Sequence, residues 1–366
     1  MSSLEKAVID EFVELVSIDA ESGNEAEIVS VVMGKLRDIG LDVEMDGAGS
    51  KLGSNAGNVI ARAGEGDPII LCAHLDRVKP GKGIKPVIEN GIIKSSGDTI
   101  LAADDISGVV AILAGLREAK KHRSLPAVEV VFTVSEETRL SGSRHLDYSR
   151  LLSKMAYIFD ASGPVGTVVT SSPTHVGFDV HVVGQAAHAA VNPQDGVSAI
   201  QAAAIVISKL PFGWVDDHTT TNVGVLSGGD ATNIVCDNVR FKGEIRSLVA
   251  SRASELANEF TGTIVCEAEA RGAKAEVTTA MEYSGYTIDR NAPVARRIVE
   301  ALRKIGITAT FESTMGGSDG NIFNANGISS IVLGTGCQLV HSTREFIPVS
   351  ELVASARLVE SLLSVS

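Results

Sequence analysis

The chain has 366 residues, 44% of them hydrophobic, which is enough to bury a substantial core spread over two domains. Its 45 acidic and 32 basic residues give a formal net charge of -13. Nucleic acids and anionic membranes bind to basic surfaces, so both kinds of partner are excluded. No basic-then-apolar segment opens the sequence, and no apolar run approaches the roughly 18 residues that span a bilayer, so we expect a cytoplasmic protein.

The four cysteines are Cys72, Cys236, Cys266 and Cys337, and no two of them have CxxC spacing. Scattered cysteines in a cytoplasmic protein are expected to be reduced, mainly buried thiols rather than disulfides or a thiolate metal site. Any bound metal ion must therefore be held by histidine and carboxylate side chains.

The first half of the chain alternates between helical and strand patterns. The predicted elements are, in order, helices at 4–16 and 24–38, strands at 59–62 and 69–74, a hairpin around 90–91, a helix at 106–119 and strands at 127–135 and 155–160. The strands are nearly continuous apolar runs, which is typical of a sheet covered by helices on both faces. This part of the sequence therefore predicts an α/β domain.

The pattern changes near Pro173. Residues 174–183 alternate between apolar and other side chains, which indicates a strand in a sheet with one solvated face. A helix at 196–209, strands at 221–226 and 235–247, a helix at 250–270 and a strand at 273–282 follow. Their β-α-β-β-α-β order is that of a compact two-layer, ferredoxin-like α+β unit.

The alternation of helices and apolar strands returns after Arg290, with a helix at 292–304, a strand at 329–333 and a helix at 349–363. We therefore expect residues 1–173 and 287–366 to form one discontinuous domain. A smaller domain of residues 174–286 is inserted into it. The predicted fold class is accordingly α/β with an inserted α+β domain.

Histidines and carboxylates collect at the predicted strand ends. They are His74 and Asp76 after strand 69–74, Glu136 and Glu137 after strand 127–135, Asp160 at the end of strand 155–160, His341 in the loop after strand 329–333, and Asp104 and Asp105 at a helix start. In open α/β sheets, functional groups gather beyond the carboxyl ends of the strands. Converging ionised carboxylates need a cation, and imidazole with carboxylate suits zinc or another divalent first-row ion.

Asp76 is too close in sequence to His74 for both side chains to be equally good ligands. Its carboxylate is well placed, however, to accept the second N–H of the imidazole and so to determine the tautomer. A His-x-Asp tripeptide alone is weak evidence, and the other strand ends strengthen it.

In chain order, these residues resemble the M20 family of dinuclear zinc peptidases, and most of all its peptidase T, or tripeptide aminopeptidase, branch. The matching segments are His74-Leu75-Asp76, Ala103-Asp104-Asp105, Glu136-Glu137, Asp160, Gly184-Gln185-Ala186-Ala187-His188, Gly228-Gly229-Asp230-Ala231-Thr232-Asn233, Glu244-Ile245-Arg246, Gly316-Gly317-Ser318-Asp319-Gly320 and His341. The resemblance covers nearly the whole chain. It implies a mixed-sheet catalytic domain that carries the inserted domain as a lid and dimerisation domain.

The resemblance implies two Zn²⁺ ions per subunit, with Co²⁺ or Mn²⁺ as substitutes. Asp104 would bridge the two ions. His74 and Asp160 would complete the ligands of one ion, and Glu137 and His341 would complete those of the other.

The resemblance also implies catalytic roles for residues that are not ligands. Glu136 would be the general base that activates the water shared by the ions, and Asp76 would orient His74. The Asp104–Asp105 peptide is similar to one that is cis in the family.

In the inserted domain, His188 resembles the histidine that helps to stabilise the oxyanion, in several relatives within a partner subunit's site. Asn233 and Arg246 resemble residues that hold the backbone and the carboxylate of the substrate. Two positions depart from the family, because Ile106 and Arg77 stand where it often has Lys and Thr. Neither is a ligand, so we expect these changes to affect substrate preference and local charge more than metal binding.

These residue types suit the hydrolysis of an amide. Two cations about 3.5 to 4 Å apart lower the pKa of a bridging water to roughly 7 and polarise the carbonyl group. A general base adds about a hundred- to ten-thousand-fold in rate. We therefore expect a dizinc exopeptidase that removes the N-terminal residue of short peptides, with a homodimer through the inserted domain as a further expectation.

Two alternatives stay open. A carboxypeptidase or an N-acyl-amino-acid amidohydrolase would share the metal site and differ only in the lid and the pocket. A non-catalytic binding protein on the same fold would be marked by loss of Glu136 or of a ligand, and the sequence retains them all. The remaining histidines, His122, His145, His175, His181 and His218, have no comparable setting and are expected to be exposed or structural.

Overall fold

A computed structural model describes residues 2–365 of the chain. The helices are α1 (Ser3–Val16), α2 (Ala26–Ile39), α3 (Ala48–Leu52), α4 (Ala103–His122), α5 (Ser141–Arg144), α6 (Ala199–Lys209), α7 (Ala250–Glu269), α8 (Pro293–Lys304), α9 (Asp319–Ala325) and α10 (Val349–Leu362). The strands are β1 (Asp42–Met45), β2 (Val59–Ala63), β3 (Ile69–His74), β4 (Pro86–Glu89), β5 (Ile92–Ser95), β6 (Val128–Thr133), β7 (Met155–Ala161), β8 (Thr167–Ser172), β9 (Thr174–Val183), β10 (Gly213–Asp216), β11 (Thr219–Gly228), β12 (Asn238–Ser247), β13 (Lys274–Tyr283), β14 (Tyr286–Thr287), β15 (Thr310–Ser313), β16 (Ser329–Gly334) and β17 (Phe346–Pro348). Short 3₁₀ turns lie at Tyr148–Arg150 and Pro193–Asp195.

The described chain divides into two compact units. Unit 1 comprises residues 2–170, 287–313 and 318–365, and unit 2 comprises residues 171–286 and 314–317. Each unit has its own hydrophobic core.

Unit 1 is built on a mixed sheet whose strand order is β1-β2-β6-β3-β7-β16-β8-β14, with β15 paired to β8. Strands β6, β3, β7 and β16 are neighbours and run parallel. The outer pairs β1–β2, β2–β6 and β16–β8 are antiparallel. The four parallel strands therefore end at the same edge of the sheet, and the mixed α/β fold is confirmed.

Apolar strands and a small-residue helix form the core of unit 1. Strands β3 and β6 are buried at every residue, as expected for a sheet covered on both faces. Helix α4 packs closely on its neighbours because two glycines allow it: a Cβ added at Gly108 would lie 2.3 Å from the backbone oxygen of Phe159, and one at Gly115 would lie 2.4 Å from Cβ of Val359. This close packing positions the start of α4 beside the strand ends.

Unit 2 contains a five-stranded antiparallel sheet in the order β10-β11-β12-β9-β13. Residues along β9 alternate between buried and half-buried, as the sequence pattern predicted. Helices α6 and α7 cover one face, where Val180, Phe241 and Ile264 are fully buried. The predicted order of elements lacked one strand, because the short edge strand β10 precedes β11 and pairs with it.

Several predicted boundaries are wrong, and three of them illustrate the causes. The strand predicted to reach residue 135 ends at Thr133. The helix predicted from residue 196 begins at Ala199, because Val197 pairs with Gln185 and the side chain of Ser198 caps the helix. The helix predicted from residue 106 begins three residues earlier, at Ala103.

The start of α4 is irregular. Asp104 and Asp105 have non-helical backbone angles, and the peptide bond between them is cis. No helix within residues 2–365 has both the length and the apolar character that crossing a membrane requires.

Candidate metal centre

The parallel strands of unit 1 bring histidine and carboxylate side chains to one edge of the sheet. His74 ends β3, and Asp160 lies near the end of β7. Asp104 reaches the same space from the start of α4. Nε2 of His74 lies 3.2 Å from Oδ1 of Asp104 and 3.6 Å from Oδ1 of Asp160. These three side chains therefore form one compact group.

Asp104 also faces a second group. Its Oδ2 atom lies 3.2 Å from Nε2 of His341, in the loop that follows β16. The same nitrogen lies 2.9 Å from Oε1 of Glu137, in the loop that follows β6. The two oxygens of Asp104 thus face two different histidines, as a carboxylate that bridges two ions must. The five side chains expected to bind metal lie together in unit 1.

The donor atoms fit divalent cations. The ligand atoms of His74, Asp104 and Glu137 all lie within 4.8 Å of one another. Nδ1 of His74 lies 3.0 Å from the backbone oxygen of Asp76. Because a carbonyl oxygen only accepts, the neutral ring carries its hydrogen on Nδ1, and the lone pair of Nε2 faces the carboxylates. Imidazole nitrogen with carboxylate oxygen suits zinc and related first-row ions.

Asp105 was not among the expected ligands, yet it lies within the cluster. The ligand atoms of His74, Asp105 and Asp160 also lie within 4.8 Å of one another. Oδ2 of Asp105 accepts a hydrogen bond from the backbone N–H of His74 at 3.0 Å. Burial raises the pKa of Asp105 well above its ordinary value. Asp105 therefore holds the backbone of His74, whereas Asp104 contacts both histidines.

The imidazoles and carboxylates of the cluster shift one another's pKa values. Burial alone would raise the pKa of Asp104, but hydrogen bonds with His341 and His74 outweigh it and hold this pKa below its usual range. Burial would lower the pKa of His74, but hydrogen bonds to Asp104 and Asp160 raise it well above 6.5. Hydrogen bonds to Asp104 and Glu137 raise the pKa of His341 to about 10. Because metal ligands bind in their deprotonated form, a cation that binds here would compete with protons for these side chains.

Glu136 stands beside the ligands and is 8% exposed. Burial, and after it the charge of Asp160, raises the pKa of Glu136 well above its ordinary value. A general base works best when its pKa lies near the working pH, and burial is the usual way to raise a carboxyl group towards it. The environment of Glu136 therefore suits a group that takes up and returns a proton.

The Asp76 carboxylate was expected to accept a hydrogen bond from the imidazole of His74, but its main partners are two backbone N–H groups and a hydroxyl group. Its Oδ1 accepts from the backbone N–H of Glu136 at 2.8 Å, and its Oδ2 accepts from the N–H of Glu137 at 3.2 Å and from Oγ of Ser22 at 2.6 Å. Nδ1 of His74 is 3.5 Å from Oδ1 of Asp76, farther than from the backbone oxygen of Asp76. Asp76 thus holds the His74 ring mainly through its backbone, and holds the Glu136–Glu137 segment through its carboxylate.

Two buried residues that the sequence did not reveal hold the rest of this loop. Oε1 of Glu25 accepts from the backbone N–H of Ser135 at 3.0 Å and from its Oγ at 2.9 Å. Oδ1 of Asn58 accepts from the N–H of Val134 at 3.1 Å. With the two bonds to Asp76, four consecutive amides donate to side-chain oxygens, which is why β6 ends early. Local sequence gives no signal for this, because Glu25 and Ser135 are 110 residues apart.

Asp319 lies within the glycine-rich segment and begins α9, where it is 1% exposed. Its Oδ2 accepts a hydrogen bond from Oγ1 of Thr133 at 2.5 Å. Its Oδ1 has no hydrogen-bond partner within residues 2–365, and burial raises its pKa. The segment is therefore more than a tight turn, since Asp319 supports the end of β6 that leads to Glu136.

In unit 2, His188 and Asn233 lie on neighbouring loops, and both are exposed. The backbone oxygen of Asn233 accepts from the N–H of Ala189 at 3.0 Å. Nδ1 of His188 accepts from the N–H groups of Ala190 at 3.2 Å and Val191 at 3.3 Å. Nε2 therefore carries the hydrogen of the neutral ring and can donate it to a ligand.

Arg246, also in unit 2, is held by protein groups. Its Nε and Nη2 atoms donate to the two carboxylate oxygens of Glu244 at 3.2 and 3.1 Å, and its Nη1 donates to the backbone oxygen of Met315 at 3.1 Å. The hydrogen bond from His175, followed by that from Arg246, lowers the pKa of Glu244 to about 2. These contacts use three of the five guanidinium N–H donors, so a ligand carboxylate can still engage the others.

Comparison with known proteins identifies the family to which the chain belongs. The profile of peptidase family M20/M25/M40 matches residues 70–365. The protein YqjE of Bacillus subtilis is 36% identical over 363 residues, which cover 98% of both chains. The crystal structure of the aminopeptidase PepT from Bacillus cereus is 37% identical, with a TM-score of 0.90 and 98% of each chain covered.

A tripeptidase from Staphylococcus aureus gives a TM-score of 0.94 at 36% identity, again with 98% of each chain covered. Together with the cluster of imidazole and carboxylate donors, these matches lead to one conclusion. The chain belongs to peptidase family M20/M25/M40 and is a metal-dependent hydrolase of the peptidase T type.

Proposed function

We propose that this protein is an aminopeptidase that releases the N-terminal residue of tripeptides with the help of two zinc ions. The observation that carries the proposal is the Asp104 carboxylate, whose two oxygens lie 3.2 Å from Nε2 of His74 and 3.2 Å from Nε2 of His341. The similarity to an aminopeptidase and to a tripeptidase supports the substrate class.

Each proposed ligand has a place in this arrangement. His74, Asp160 and one oxygen of Asp104 would hold one ion. Glu137, His341 and the other oxygen of Asp104 would hold the second. Two ions held there would supply a more acidic water and a polarised substrate carbonyl group. Co²⁺ or Mn²⁺ would accept the same ligands.

The chain's own contribution to the chemistry is proton transfer by Glu136. Its carboxylate takes a proton from the attacking water and gives that proton to the nitrogen of the departing amine. Asp76 keeps this carboxylate in place, because it holds the backbone N–H groups of Glu136 and Glu137. The raised pKa of Glu136 allows the proton to stay on the carboxyl group between the two transfers.

We assign unit 1, predicted as residues 1–173 and 287–366, to the catalytic domain and unit 2, predicted as residues 174–286, to a lid, with residues 171–173 and 314–317 belonging to unit 2. In the lid, Nε2–H of His188 donates to the substrate oxygen as negative charge develops on it. Asn233 holds the peptide backbone. The guanidinium of Arg246 holds the terminal carboxylate of the peptide, for which a planar fork of donors is suited.

We also propose a homodimer in the cytoplasm that associates through unit 2. Strand β10 pairs only with the first residues of β11, and beyond them Val225 and Leu226 are 54% and 60% exposed. A strand with unpaired edge groups and apolar side chains favours association. Light scattering should give the mass of two chains, and the mass of one chain would remove this part of the proposal.

Hydrolysis of Ala-Ala-Ala tests the substrate class. The zinc-loaded enzyme should release free alanine and Ala-Ala, and it should turn over an N-acetylated amino acid far more slowly. Faster turnover of the acetylated compound would favour an amidohydrolase, and release of the C-terminal residue would favour a carboxypeptidase. Protein that contains no metal by elemental analysis and stays inactive after addition of zinc or cobalt would favour a binding protein.

A further inference from the structure

We propose that Glu345 is a positioning residue that fixes Asp104 and His341 relative to each other. The inference rests on the proposed function, in which these two side chains bind the same ion. Glu345 is 1% exposed and lies in unit 1. It is not among the residues marked by the strand ends, and the sequence shows only an acid four positions after His341.

The Glu345 carboxylate binds the backbone that carries Asp104. Its Oε2 accepts from the N–H groups of Leu101 at 2.8 Å and Ala102 at 2.9 Å. Its Oε1 accepts from the N–H of Asp104 at 3.0 Å. Three amides around the start of α4 therefore converge on one carboxylate.

This segment needs an outside acceptor. Ala102 has φ of 60°, in the left-handed region, and Asp104 has ψ of 103°, so the backbone does not continue the helix backwards. The first N–H groups of a helix have no partner within the helix, and its positive N-terminal end favours a negative charge. The carboxylate of Glu345 meets both requirements, and in doing so it fixes the backbone from which the Asp104 side chain projects.

The same carboxylate belongs to the loop that carries His341. The base of this loop is closed by two hydrogen bonds, from the N–H of Gln338 to the oxygen of Phe346 at 2.9 Å and from the N–H of Phe346 to the oxygen of Gln338 at 3.1 Å. Glu345 lies just inside this closure, and His341 lies nearer the tip. Anchoring Glu345 on α4 therefore anchors the His341 loop on the element that carries Asp104.

A carboxylate is required because both of its oxygens accept. In Glu345→Gln, the amide offers one oxygen and one NH₂ group. Whichever way the amide turns, its NH₂ group faces at least one backbone N–H, and two donors meet. The change keeps the size of the side chain and removes one acceptor together with the negative charge, so it tests the polar contacts of Glu345 and not its packing.

Glu129 provides a matched control. It is also 1% exposed in unit 1, and its carboxylate accepts from the N–H groups of Leu152 at 3.0 Å and Ser153 at 2.8 Å. Leu152 and Ser153 are not proposed ligands. Arg62, which donates to Glu129 at 3.0 Å, is not a proposed ligand either. Glu129→Gln therefore makes the same chemical change in a buried carboxylate that also holds backbone amides.

The experiment measures zinc binding to the full-length wild-type chain, Glu345→Gln and Glu129→Gln. Each protein is stripped with a chelator, and its zinc stoichiometry and affinities are then measured by competition with a chromophoric chelator. Loss of a group that orients metal ligands typically weakens binding about 10- to 100-fold. We expect one of the two ions to bind at least about tenfold more weakly to Glu345→Gln, and binding to Glu129→Gln to stay within about twofold of wild type.

Two further readouts keep the test decisive. If Glu345→Gln fails to fold by circular dichroism, Glu345→Asp, which keeps the charge but shortens the reach, is expected to show the same weakened ion. Hydrogen exchange of the amides of Leu101, Ala102 and Asp104 should become faster in a folded variant. Wild-type affinity for both ions in the folded Glu345 variant would overturn the inference alone, whereas a wild-type chain that binds no zinc would overturn the proposed function.

Discussion

Replacing Glu136 by Gln should separate catalysis from metal binding. The substitution removes the group proposed to carry the proton but keeps the shape of the side chain. The loop keeps its position, because Asp76 holds the backbone N–H groups of Glu136 and Glu137, which the substitution leaves unchanged. Glu136 is not a proposed ligand, so both ions should be retained.

The expected magnitude follows from the role. General acid–base catalysis contributes about 10²- to 10⁴-fold, and we expect turnover to fall about a thousand-fold. Each tenfold loss corresponds to about 1.36 kcal/mol, so the barrier should rise by about 4 kcal/mol.

The same substitution should raise the thermal stability of the metal-free protein at alkaline pH, although it lowers turnover. Burial and the charge of Asp160 raise the pKa of Glu136 in the folded protein. A carboxyl whose pKa is raised by folding stabilises the protein most below its unfolded pKa, and this stabilisation is lost as pH rises through the folded pKa. Gln does not ionise, so the metal-free Glu136→Gln variant should have a higher Tm than metal-free wild type at alkaline pH.

The assay combines tripeptide turnover at saturating zinc, zinc content and thermal unfolding. Glu137→Gln serves as the comparison variant at the adjacent position. It alters a proposed ligand, so it should weaken zinc binding as well as turnover. Turnover of Glu136→Gln within about tenfold of wild type, with zinc retained, would refute the assignment of the base.

Three other outcomes test the remaining parts of the site. Glu25→Ala leaves the buried backbone N–H of Ser135 and the half-buried N–H of Gly23 without their acceptor. It should lower the free energy of unfolding in urea by about 1 to 3 kcal/mol for the buried group alone. A loss below about 0.5 kcal/mol would contradict the role of Glu25. Zinc binding should release protons and strengthen as pH rises above about 6, because the pKa of His341 is raised to about 10, that of Asp160 to about 7, and that of His74 is raised as well. Calorimetry in buffers of different ionisation enthalpy counts these protons, and a pH-independent affinity would contradict the assignment. Glu244→Gln should lower Tm near neutral pH and have little effect near pH 2. The pKa of Glu244 is lowered from 4.5 to about 2, and the stabilisation that its carboxylate provides is lost as pH falls through that value. An equal loss of Tm at both pH values would argue against stabilisation by the contacts of Glu244 with His175 and Arg246.

The expected metal ligands could be found from sequence because their positions follow from local pattern. Strand β3 has the bounds that its apolar run predicted, 69–74, and His74 stands at its end. Parallel strands end at one edge of a sheet, so residues at the ends of β3, β6, β7 and β16 had to be near one another. The resemblance to the family then supplied the pairing around Asp104.

The groups that hold these ligands could not be found in the same way. Glu25 and Glu345 bind backbone amides 110 and more than 240 residues away, and a backbone amide leaves no mark in a sequence. The end of β6 was predicted too late for the same reason, since its apolar run continues to Val134 while side chains from elsewhere capture the amides. The main partner of the Asp76 carboxylate is the backbone N–H of Glu136 and not, as the sequence predicted, the imidazole of His74.

The sequence by itself determined the order of the main helices and strands, the two kinds of sheet and the residues that meet at the sheet edge, because periodicity and strand ends are local properties of the chain. The tertiary structure alone decided which oxygen meets which N–H in the loops that carry Glu136, Asp104 and His341. Those contacts join segments far apart in the chain, and burial makes them necessary, since an amide removed from water must find an acceptor wherever the fold places one.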